Sequence, residues 1–224
     1  LIAPEDQELR ARLVEQGVSP LICEAGLEAD ACAEGLSLLP RPRLRQVDRL
    51  VAQNEGAAGI LGQRIMPATQ FVTDFVLMQK LLHPELANHE ILRELGSCLY
   101  TETAYIFDFA RAIWMLNSWW ESGLRGELSE VDEGLSALPP DSLGMVAPLR
   151  DSVQLLRDLV YYLESGERHF DALVARVHAR MADSPLFQGY TLDRVWQTRA
   201  RNAVSAQVAS WLEYLRRHLE RAGV

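Results

Sequence analysis

The chain has almost no lysine. Of its 22 Lys and Arg residues, only Lys80 is a lysine. The others carry guanidinium groups, whose planar forks suit carboxylates and small oxyanions. Arginine-biased codon usage and the good helix propensity of arginine account for the same count without a ligand. Cysteine is also scarce, with three residues in 224: Cys23, Cys32 and Cys98. Their spacing forms no CxxC pair and no Cys/His ligand pattern, which excludes the usual zinc modules. Cys23 and Cys32 flank a short acidic segment. A disulfide between them fits an oxidising compartment, and free thiols fit equally well. Cys98 is expected as a small buried hydrophobe.

The signatures of common chemistries are missing. There is no G-x-S-x-G elbow and no HEXXH. Bundle di-iron sites need a Glu three residues before a His. His83, His89, His169, His178 and His218 all lack one. Glu24, Glu28, Asp30 and Glu34 do not follow the alternating ligand pattern of a calcium loop. No metal or cofactor is expected, and the balance leans away from an enzyme. The net charge of −9 argues against general affinity for nucleic acid or anionic membranes. No basic recognition helix follows a short turn. No run approaches about 18 uninterrupted apolar residues, so no transmembrane segment is expected. No signal or transit peptide is in view. A chain starting at Leu1 rather than Met fits a processed, exported protein, which tilts the expected compartment away from the cytoplasm, and it fits a trimmed chain as well.

What the sequence does have is helical periodicity. Hydrophobic residues make up 48% and charged residues 24%, enough for a full globular core. Leu95–Trp120 is the centre of the reading. One stripe runs Leu95, Leu99, Glu102, Ile106, Phe109, Ile113, Leu116, Trp120 in helical steps. The opposite face is mostly apolar too, with Tyr105, Ala112, Met115 and Trp119. A helix apolar nearly all round belongs at the middle of a helical domain.

The other segments follow in order. Residues 5–16 read as a short helix stopped by Gly17, and 20–36 as a second short helix. Residues 44–82 read as one long helix broken or kinked at Pro67. Gly56, Gly59 and Gly62 within it suggest close approach of another helix or of a ligand. A loose acidic connection follows Trp120, with a short helix near 127–136. Helices over about 142–164, 167–182 and 191–221 complete the chain. Short loops imply antiparallel neighbours. The expected fold is all-α, an up-and-down bundle of about four long helices plus two or three short ones. It is read as a single domain over 1–224, with the bundle over 44–221.

Several polar residues are candidates for a site. Glu102 interrupts the apolar stripe, where a carboxylate needs an arginine, a cation or a polar neighbour. Asp108 and Arg111 stand three apart and can pair along the helix. Arg201 and Asn202 lead into the apolar stripe of the last helix and could clamp a carboxylate or small anion. Arg64 lies beside the glycines. Trp114, Trp119 and Trp120 close the central helix and form a candidate interaction surface. The stretch QNEGAAGILGQRI, residues 53–65, partly resembles the conserved helix of bacterial nitrate-sensing four-helix receptor domains, without their small-to-Arg pattern. That resemblance implies a ligand-sensing bundle as one alternative.

The leading expectation is a non-enzymatic binding or adaptor protein acting near the Trp-rich end of the central helix on a protein partner. The alternatives are a sensor for a small anionic ligand held between helices, and a bundle metalloprotein or enzyme using Glu102 and Asp108. The sequence leaves the oligomeric state open.

Overall fold

An amphipathic helix has to bury its apolar stripe, and short turns leave its sequence neighbours as the nearest partners. The protein follows that logic. The computed structural model describes residues 4–17, 21–24, 39–53, 59–62, 67–122, 127–166, 168–183 and 201–222. These contain nine helices: α1 (Pro4–Glu15), α2 (Leu44–Gln53), α3 (Pro67–Leu82), α4 (Asn88–Leu99), α5 (Thr103–Ser122), α6 (Glu127–Ala137), α7 (Val146–Glu164), α8 (Phe170–Asp183) and α9 (Arg201–Ala222). From α2 to α8 each helix packs against the next. α9 returns onto α7 and α8, and α3 also touches α7. The fold is an all-α helical bundle. One buried cluster runs from Leu39 to Leu215.

α5 is central, as its periodicity requires. Phe109, Ile113 and Leu116 are fully buried, and α4 and α6 cover two of its sides. Its partner α6 lies in what reads as a loose acidic connection. Leu128, Val131 and Leu135 of α6 are buried, so this helix is part of the core.

Three sequence expectations change. The helix expected to run through Leu95–Trp120 is two helices. α4 ends at Leu99, the following Tyr100 is extended with φ of −133° and ψ of 147°, and α5 starts at Thr103. The corner is held from outside: the Tyr100 hydroxyl donates to the Pro139 carbonyl at 3.2 Å, and the Ser142 N–H donates to the Leu99 carbonyl at 3.2 Å. The helix expected over 44–82 is α2, a short strand and α3. Glycine disfavours helix, and Gly59–Gly62 instead pairs in parallel with Leu21–Glu24. That pairing also replaces part of the helix expected over 20–36 with a strand. Pro67 takes the first position of α3, where its missing N–H costs nothing.

Among the described residues, no helix is long and apolar enough to cross a membrane.

Candidate functional site

The antiparallel pair α4–α5 carries the site. Glu90 starts α4 by accepting a hydrogen bond from the Ala87 N–H at 2.9 Å. Ile91, Leu92, Leu95, Gly96 and Leu99 form its buried face. His89 and Arg93, one turn apart, lie beside that face and are exposed. α5 has more apolar residues than its core face uses. Phe107 and Trp114 fall on a second row seven residues apart and remain 48% and 49% exposed. Gly96 sets how closely the helices cross, since a Cβ there would lie 3.0 Å from the Ile106 carbonyl oxygen.

Between the two helices lies an open groove of about 290 Å³. Leu92 and Ala110, both buried, form its floor, and Phe107 and Trp114 are its aromatic walls. His89, Arg93 and Arg111 complete the lining, so every ionisable group in it is basic or neutral. The Arg93 guanidinium lies over the Phe107 ring, 4.8 Å from its centroid. Arg111 reaches Glu130 on α6 at 4.0 Å, an exposed pair of little strength. The groove can therefore take an apolar side chain between two rings, with cations at its edge.

Of the residues proposed from sequence, Arg111 and Trp114 meet here. Trp119 and Trp120 do not belong to an interaction surface: they are 1% and 5% exposed. The Trp120 indole N–H donates to the Pro40 carbonyl at 2.6 Å, and its ring lies under the Arg41 guanidinium at 5.3 Å. Arg41 in turn donates to the Tyr214 hydroxyl at 2.7 Å. His218 lies against both indoles, at 5.9 and 5.0 Å. Burial first, then the charges of Arg41 and Arg221, pull its pKa down from 6.5 to about 4. These tryptophans lock the 39–43 segment to α5 and α9.

Glu102 is exposed and precedes α5, its carbonyl accepting the Ile106 N–H at 3.2 Å. It leaves the apolar stripe because the helix breaks just before it. Asp108 is exposed as well, and Arg111 turns to Glu130 instead of to it. Cys98 is exposed rather than buried. Arg64, Gly56 and Cys32 lie outside the described residues, as do the side chains of Cys23, Arg201 and Asn202. The disulfide and the anion clamp are therefore not placed. Among the described residues, no three His, Cys, Asp or Glu side chains converge as a metal site.

Sequence reasoning missed His89, Arg93 and Phe107. A signal was present in α5, whose apolar surplus exceeds what one core face needs.

The lone lysine is structural. Lys80 is 9% exposed, donates to the Leu86 carbonyl at 2.7 Å and pairs with Asp48 at 3.1 Å. Asn88 donates to the same carboxylate at 2.7 Å. Asp132 with Arg157, and Arg180 with Gln154 and Asp158, tie α6, α7 and α8 together.

No protein-family model matches the chain, and no curated protein and no solved structure matches it.

Proposed function

We propose that the protein is a non-enzymatic binding module that docks a protein partner in the α4–α5 groove. The observation behind this reading is the exposure of Phe107 and Trp114 as the two walls of one groove. Exposed aromatic residues over an apolar floor are the usual anchors of protein interfaces. The size of the groove favours a side chain of a larger partner over a free metabolite. At about 290 Å³ and open to solvent, it lies at the lower edge of what encloses a small molecule. This moves the interaction surface away from Trp119 and Trp120 and keeps Trp114.

The test is affinity capture with Phe107→Ala and Trp114→Ala, using Tyr161→Ala as control. Tyr161 is 66% exposed on α7, away from the groove lining. Loss of a captured protein with both groove variants, and retention with the control, is the expected result. Equal capture by all three removes the groove from the function.

A further inference from the structure

Resting on that docking function, we propose that the groove selects an acidic, apolar-anchored peptide segment of the partner, with Arg93 as its carboxylate receptor. The geometry of Arg93 carries the inference. Its guanidinium carbon lies over the Phe107 ring, 4.8 Å from the centroid. A ring offers a guanidinium no oxygen acceptor, so this contact leaves the N–H donors uncommitted. Those donors match the two oxygens of a carboxylate. Among the described residues, no carboxylate of the protein is in ion-pair range of Arg93. Elsewhere the guanidiniums that join helices are already engaged: Arg157 by Asp132, Arg180 by Asp158 and Arg45 by Glu121.

Charge complementarity names the occupant. The chain as a whole carries −9, yet no acidic residue lines this groove, and two arginines and a histidine do. A basic patch on an acidic protein steers acidic partners to one place and turns them away elsewhere. The aromatic walls then require an apolar side chain next to the acid. A glutamate or aspartate flanking a leucine or phenylalanine satisfies both demands: the apolar group enters between Phe107 and Trp114, and the carboxylate lies edge-on to Arg93. Arg111 is held by Glu130 only at 4.0 Å, so it can turn to a second acid.

The experiment is calorimetric titration of the whole chain with three end-blocked peptides. The first repeats glutamate, leucine and phenylalanine. The second replaces each glutamate by glutamine. The third keeps the glutamates and replaces the apolar residues by alanine. The first should bind roughly tenfold tighter than either other, and weaken as salt rises from about 50 to 300 mM. Arg93→Gln should weaken it about fivefold, with Arg93→Lys between the two, since lysine keeps the charge and loses the planar fork. Trp114→Ala should weaken all binding. Circular dichroism of each variant checks that the fold is kept. Equal binding of the glutamine peptide, or an unchanged affinity in Arg93→Gln, overturns acidic selection and leaves the docking function standing. No binding of any peptide at millimolar concentration also overturns it. The capture experiment judges docking separately.

Discussion

Trp114 and Trp120 lie on the same helix and have opposite environments. One is 49% exposed at a groove wall, and the other is 5% exposed beneath Arg41. Six helical steps turn about 240°, so they cannot share a face. The tryptophans were legible in the sequence as a cluster, but their separation depends on which face meets α9. Their substitutions should therefore differ in kind. Trp120→Phe leaves the buried Pro40 carbonyl without its donor and should cost about 1–3 kcal/mol, read from urea denaturation. Trp114→Ala should cost less than about 1 kcal/mol and affect binding instead. His218 gives a pH prediction. Its folded pKa, about 4, lies below the ordinary 6.5. Above 6.5 neither state holds the proton, and the residue contributes no pH dependence. As pH falls towards 4, the unfolded chain takes up a proton that the folded chain resists, so stability is lost across that window. The wild type should lose more stability between about pH 7 and pH 5 than His218→Gln does, as urea midpoints would show.

At the scale of the element, the helices legible in the sequence are those whose stripes are unbroken. α7 buries Leu149, Val153, Leu156 and Val160, which recur at steps of three and four. α8 likewise buries Leu173, Val174 and Val177. The break between α4 and α5 was hidden because neither proline nor glycine marks it. It is imposed by bonds from the 139–142 segment, far along the chain, and by the tight crossing at Gly96. Gly96→Ala tests that crossing. Alanine improves helix propensity by about 1 kcal/mol, but its Cβ meets the Ile106 carbonyl, an overlap that costs about 1–3 kcal/mol. A net loss of about 1 kcal/mol in thermal or urea unfolding is expected. α2 depends on a distant cap in a similar way. The Asn117 side chain of α5 accepts the Leu44 N–H at 3.1 Å, although the two are 73 residues apart. Asn117→Ala should cost about 1–2 kcal/mol, measured the same way. No local pattern at residues 39–44 announces this cap, which explains why the start of α2 was legible and its cause was not.

Across the whole molecule, two sets of polar residues contrast. Lys80, Asp132 and the Arg41–Tyr214 pair are used inside the bundle, fastening one helix or connecting segment to another. His89, Arg93 and Arg111 face outward together around two exposed rings. Periodicity revealed the all-α class because each helix needs a core face. It could not reveal the groove, which exists only once α4 and α5 lie side by side and a turn of each faces the other. On the proposed function, this groove contacts a partner. The most direct measurement places a photoreactive amino acid at position 114, with position 161 as control, and maps what each crosslinks to in the cells that make the protein. One protein crosslinked from position 114, through a segment where acidic and apolar residues adjoin, and absent from position 161, is the expected result. The same products from both positions, or none from position 114, would contradict it.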